Sequence, residues 1–249
     1  MRDPAWHAAG CMLVGLATAM RAEGVTDDAG PPPMAAGQFW ALLMSTVGVF
    51  AIPSLLRLSR GGPLGATMSD ARVLGVVALE LLIGLFWARR LASQGWTITS
   101  ITHPFLPRDL LRGTLLFVAA WIAYYLTFVF AVALAPRFAA AARNVTIDGR
   151  LSFPVVLLIS LINPVAEEFL YLGVIAASLR REDSLLALSA SVLARVCVHV
   201  YQGPLGVLSI APAAVVFGAY YLRTRRIWPV VAAHGFMDAL ALTALSQAA

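Results

Sequence analysis

The sequence contains no lysine; all eighteen of its basic residues are arginine. Schiff-base chemistry and a phosphate-cradling P-loop lysine are therefore excluded. Charge of either sign is scarce. Only 12% of the 249 residues are charged and 60% are hydrophobic, where a soluble domain carries about 25% charged residues. With a mean hydropathy of +0.81, the composition is that of a polytopic membrane protein and not of a water-soluble globule with a large core. The two cysteines, Cys11 and Cys197, form no CxxC pair, which removes a disulfide framework and a cysteine zinc site. There is no HExxH motif and no internal repeat. The arginines are scattered through loops rather than massed on one segment, so the net charge of +5 suits membrane topology and not nucleic acid binding.

What is present is a series of apolar segments with charged or Pro/Gly-rich breaks between them. Residues 1–38 read as a short span or interfacial helix, centred on the apolar run 5–20, followed by a Pro-rich loop. "ATAM" before "RAEG" is a poor cleavage site, so this run does not read as a cleaved signal peptide. Residues 39–150 hold spans at about 39–56, 71–87 and 111–134. Residues 151–249 hold four more, at about 152–179, 185–202, 206–222 and 228–246, joined by short loops that make neighbours antiparallel. The expected fold is all-α: a polytopic membrane helix bundle of seven or eight spans whose core comes from the last four. Arg89, Arg90, Arg108, Arg112, Arg180, Arg181, Arg223, Arg225 and Arg226 fall on one side, and Arg57, Arg60, Arg72, Arg137, Arg143 and Arg150 on the other. The positive-inside rule places the first group in the cytoplasm. "NVT" at 144–146 matches a glycosylation sequon, a frequent chance match.

Intramembrane polar residues concentrate in the last hundred positions. Each ionisable group at mid-span costs about 2.5–3.5 kcal/mol. Glu167, Glu168, Arg195 and Asp238 together then represent on the order of 10 kcal/mol unless they meet one another. His199 and His234 add to that burden. Arg195 and His199 are four residues apart, as are His234 and Asp238, so each pair shares a helix face. Glu167 and Glu168 lie about 100° apart on a helix and can both point inward. Pro164 deprives the backbone of a hydrogen bond, which predicts an irregular turn beside the acids. These groups are expected to face one water-filled hollow.

A carboxylate beside a histidine can take a proton from water and pass it to a leaving amine. A second histidine with a polar partner can hydrogen-bond an oxyanion. That set suffices for amide hydrolysis without serine or cysteine. "EEFLYLG", "LARVCVHVYQGPLG" and "RRIWPVVAAHGFMD" resemble the three motifs of the CAAX protease and bacteriocin-processing family of glutamate-dependent intramembrane proteases. The likeness covers roughly residues 70 to 249, including the "ASQGW" loop and Glu80. The resemblance implies that Glu167 activates water with help from His199. It also implies that Glu168 is a supporting acid, and that His234 and Asp238 form the oxyanion-stabilising side. It implies metal-independent chemistry with no cofactor, in a multi-pass protein of a bacterial plasma or inner membrane. The partners are then the lipid bilayer and a membrane-associated peptide or protein, such as a sorting tail, leader peptide or processed C-terminus. The family's arginine, four residues after the second glutamate, is replaced by Leu172. Arg195 is expected to supply that cation from the neighbouring helix and to pair with Glu168.

Other readings use the same residues. Two histidines and two glutamates are also a zinc donor set. A non-catalytic immunity or partner protein would use the same polar pocket to hold another membrane protein. A proton-coupled transporter would relay protons through the same groups, although only one half of the chain is polar. Glu80, alone in its span, either supports the site or pairs with a loop arginine. Arg223, Arg225 and Arg226 read as a helix end at the interface, and His7 and His103 as residues without a special role.

Overall fold

The structure, a computed structural model, describes residues 30–61, 65–135, 145–147, 150–180 and 183–248. The expected apolar segment at 5–20, His7, Cys11, Arg137, Arg143, Asn144 and Arg181 lie outside them. Six helices among the described residues are long and apolar enough to cross a membrane. They are α1 (Ala36–Ser59), α2 (Asp70–Ala92), α4 (Arg108–Leu134), α5 (Phe153–Leu179), α7 (Gly203–Thr224, lengthened by the turn before it) and α8 (Trp228–Ala248). Two shorter helices, α3 (Ile98–Ile101) and α6 (Ser184–Val198), complete the set. The fold is an all-α polytopic bundle, with one addition: strands β1 (Ala66–Met68) and β2 (Val145–Ile147) pair in parallel.

The expected span at 185–202 is a correction. α6 has 15 residues, or about 22 Å at 1.5 Å per residue, which is shorter than a hydrocarbon core of about 30 Å. Asp183 starts it by accepting from the amides of Leu185 and Leu186, the usual N-cap arrangement. It ends at His199, where a single 3₁₀ turn, Val200–Gln202, leads into α7. Gly203 makes that corner at φ +77°, a conformation that favours glycine, and Pro204 opens the next helix.

Polar contacts fix both ends of the bundle. At one end, β1 pairs with β2, the Ser152 amide donates to Asp70 at 3.0 Å, and the Leu151 amide donates to Ser246 at 3.2 Å. At the other end, residues 100–109 wrap the corner between α7 and α8. Arg225 turns this corner in the left-handed region at φ 52°. Its carbonyl accepts from Thr102 Oγ1, and its guanidinium donates to the Ser100 carbonyl at 2.6 Å. Arg226 binds both oxygens of Asp109, at 2.8 and 2.6 Å, and the Pro104 carbonyl at 2.9 Å. These two arginines thus do more than end a helix: they clamp the start of α4 to the α7–α8 corner. Arg89, Arg90, Arg108, Arg112 and Arg180 gather at this end, and Arg57, Arg60, Arg72 and Arg150 at the opposite one.

The outer surface is apolar. Leu82, Phe86, Leu111, Leu115 and Phe130 are each more than 60% exposed, a face suited to lipid and not to water. Inside, small residues let helices touch. A Cβ on Gly113 of α4 would stand 2.7 Å from the Ala232 methyl of α8.

The clamp generates a prediction. Asp109 is fully buried and Arg226 nearly so, so Asp109→Ala leaves a buried guanidinium short of its partner. It should cost about 3–5 kcal/mol. Arg112 reaches the same carboxylate only at 4.0 Å from a more exposed position, and Arg112→Ala should cost under about 1 kcal/mol. Thermal unfolding of both variants in detergent measures the difference; equal losses would show that the bidentate pair is not what holds this corner.

Candidate active site

The acids come from α5. Its regular part, Phe153–Glu168, runs straight through Pro164, and a π-helical stretch, Phe169–Ala176, begins directly after Glu168. The irregularity therefore follows the acids instead of preceding them. Pro164 has no N–H to give, so the Ser160 carbonyl one turn back lacks its helical donor. α8 closes on that spot: a Cβ on Gly235 would stand 2.7 Å from the Ser160 oxygen. Helices α5 and α8 run antiparallel, as the contacts of 151 with 246, 163 with 238 and 168 with 234 show.

Glu168 is saturated. It is 0% exposed, Oε2 accepts from Arg195 Nη2 at 2.6 Å, and Oε1 accepts from His234 Nδ1 at 2.6 Å. One carboxylate thus ties together α5, α6 and α8. Arg195 is itself 5% exposed, and its guanidinium carbon lies 4.6 Å from the Tyr171 ring centre and 5.7 Å from that of Phe217. A cation over aromatic faces recovers part of its lost hydration.

Glu167 faces differently. Its side chain keeps 15% exposure, and Oε2 lies 3.6 Å from Arg195 Nη1 and 4.0 Å from His234 Nε2, too far for full hydrogen bonds. Asp238 keeps 24% exposure, with Oδ1 3.5 Å from His234 Nε2. Its Oδ2 accepts from Asn163 Nδ2 at 3.0 Å. His199, at the end of α6, places Nδ1 2.8 Å from the Arg195 carbonyl. A carbonyl only accepts, so a neutral His199 carries its proton on Nδ1 and its lone pair on Nε2.

Of the six sequence-predicted residues, Glu168, Arg195, His234 and Asp238 form one contiguous chain, with Glu167 at its edge. His199 joins through a backbone carbonyl and meets no carboxylate directly. All but the fully enclosed Glu168 line a common cavity of about 1730 Å³. Glu80 lines it too, with one carboxylate oxygen shielded and without a hydrogen-bond donor; among the described residues it pairs with no loop arginine. Sequence reasoning missed Asn163, whose only signal was its place one turn before Glu167. No group of three or more His, Cys, Asp or Glu among the described residues is arranged to hold a metal ion. Leu172, at the position of the family arginine, is 1% exposed in an apolar cluster with Leu116, Phe217 and Tyr221.

Arg195→Ala should leave Glu168 with an unmet buried charge and lower stability by about 3–5 kcal/mol. Arg195→Lys keeps the charge but cannot present a fork toward both glutamates, and should lose about 1.5–3 kcal/mol. Thermal unfolding in detergent reads both; wild-type melting in each would mean that the guanidinium does not hold Glu168.

No curated protein and no solved structure matches the chain. A family model, described as Type II CAAX prenyl endopeptidase Rce1-like, matches residues 149–240. That stretch contains the six residues above, and excludes Glu80 and the "ASQGW" loop. The polar chain between α5, α6 and α8 is thus built on the matched segment, and the protein is a multi-pass membrane protein whose residues 149–240 match the Rce1-like model of CAAX prenyl endopeptidases.

Proposed function

We propose that the chain is a glutamate-type intramembrane peptidase, acting on a membrane-associated polypeptide in a bacterial plasma or inner membrane. One observation carries this reading: two adjacent glutamates have been given unlike surroundings. Glu168 has both oxygens committed to Arg195 and His234, whereas Glu167 lines the cavity with its side chain 15% exposed and its shielded Oε2 without a hydrogen-bond donor. The first is suited to hold the helices, and the second to meet water.

In the proposed reaction a water sits between Glu167 and the Nε2 lone pair of His199. Glu167 takes one of its protons as the water oxygen attacks the scissile carbonyl carbon. The carbonyl π pair moves to oxygen, which becomes the oxyanion of a tetrahedral intermediate. His234, as an imidazolium that gives Nδ1–H to Glu168 and faces Asp238 across 3.5 Å, presents its Nε2–H to that oxyanion. When the C–N bond breaks, Glu167 returns the proton to the departing amine. The products are a new carboxyl end and a new amino end, and no oxidant or reductant enters.

Substrates compatible with the site are those that bring a peptide bond to the membrane: a lipidated C-terminus, a sorting tail or a leader segment. The test uses purified protein in detergent with two fluorogenic peptides, one a farnesylated CaaX peptide and one an unprenylated apolar transmembrane peptide. Glu167→Gln and His199→Ala should each lower kcat by about 10²–10⁴-fold, and a chelator should leave the wild type unchanged. Cleavage lost with a chelator and regained with zinc would replace this mechanism by a metal-dependent one. Cleavage of neither peptide by the wild type would reject the peptidase reading.

A further inference from the structure

Amide hydrolysis needs N–H groups that are free to meet a growing oxyanion, and the guanidinium and imidazole donors beside the two glutamates are already engaged. Arg195 gives Nη2 to Glu168 at 2.6 Å and turns Nη1 toward Glu167. His234 gives Nδ1–H to Glu168. His199 gives Nδ1–H to the Arg195 carbonyl. Asp238 accepts from Asn163 on one oxygen and faces His234 Nε2 with the other; as a carboxylate it has no proton to offer.

Asn163 differs. Its primary amide carries two N–H donors on one nitrogen. One is bound to Asp238 Oδ2 at 3.0 Å, and the other has no partner among the described residues. The side chain lines the same cavity as Glu167 and His199. It sits one helical turn before Glu167, on the same face of α5. Its orientation is fixed from outside, by the Asp238 carboxylate on the antiparallel α8. The carboxylate can pair only with the NH₂ end of the amide, which keeps the donor and not the carbonyl at this edge of the cavity.

We infer that Asn163 is a catalytic residue that donates its second N–H to the oxyanion, and that Asp238 is the positioning residue that holds the amide for this task. The inference rests on the peptidase reading above. It divides the oxyanion site between two helices, with His234 Nε2 on α8 and Asn163 Nδ2 on α5.

The experiment uses the same two peptides, each also made with a thioamide at the scissile bond, because sulfur is a poorer hydrogen-bond acceptor than oxygen. Asn163→Ala should lower kcat on the oxygen peptide by about 10²–10³-fold, as loss of one oxyanion donor does, with KM changed less than about threefold. It should also shrink the wild-type ratio of oxygen to sulfur rates, since the donor that reads the difference is gone. Asn163→Asp, which keeps size and removes the donor, should behave alike. Thermal unfolding of each variant separates a folding defect from a chemical one. If the variants lose rate but keep the wild-type oxygen-to-sulfur ratio, or if kcat is unchanged, the inference is overturned while Glu167→Gln still reports on the peptidase reading. A wild type that cleaves neither peptide overturns both.

Discussion

The bond pair on Glu168 is the constraint from which the rest of the site follows. A carboxylate with no exposure at mid-span is tolerable only if each oxygen has a strong partner. Here the partners come from two other helices, Arg195 at 2.6 Å and His234 at 2.6 Å. Burial alone would make the charge costly; saturation makes it a three-way joint. The geometry demands that α8 lie close to α5, and Gly235 against the Ser160 carbonyl allows it. It also demands that α6 stay beside α5 although it is too short to span. The arginine on its last turn holds it there, under the rings of Tyr171 and Phe217.

Adjacent residues on a helix point about 100° apart, and that turn separates the two glutamates into different tasks. If Glu168 faces the joint, Glu167 must face its edge, where it meets the cavity. Arg195 lies 3.6 Å from Glu167, beside it but beyond a full hydrogen bond. The pair is therefore one enclosed carboxylate and one at the cavity edge, set by one helical step.

Much of this was legible in the sequence. The long apolar runs gave the spans, because lipid imposes their length and composition. The four-residue spacings of Arg195 with His199 and His234 with Asp238 gave shared faces, and the cost of isolated charges required those faces to meet. Other features left no readable trace. β1 and β2 are three residues each and pair across a long stretch of chain, too short for a periodic signal. The shortness of α6 was hidden because "VCVHVY" stays apolar across the helix end, so hydropathy ran through a break that backbone geometry makes at Gly203. The π-helical stretch after Glu168 has no compositional mark. Asn163 carried no signal beyond its place one turn before Glu167, since its partner Asp238 is 75 residues away.

The apolar residue at 172 acquires a physical sense from these contacts. At Leu172 the chain is 1% exposed and packed with Leu116, Phe217 and Tyr221, so a guanidinium there would lie in an apolar cluster without a carboxylate among those neighbours. The acid still needs a cation, and the helix beside it supplies one from a position that meets Oε2 directly. The cation on α6 thus meets the electrostatic requirement of a carboxylate borne by α5. It also couples the requirement to α6: the Arg195 carbonyl is what His199 Nδ1 binds. The residue that secures the buried glutamate thus also sets the tautomer of the histidine at the cavity, and support and chemistry are joined through one backbone position.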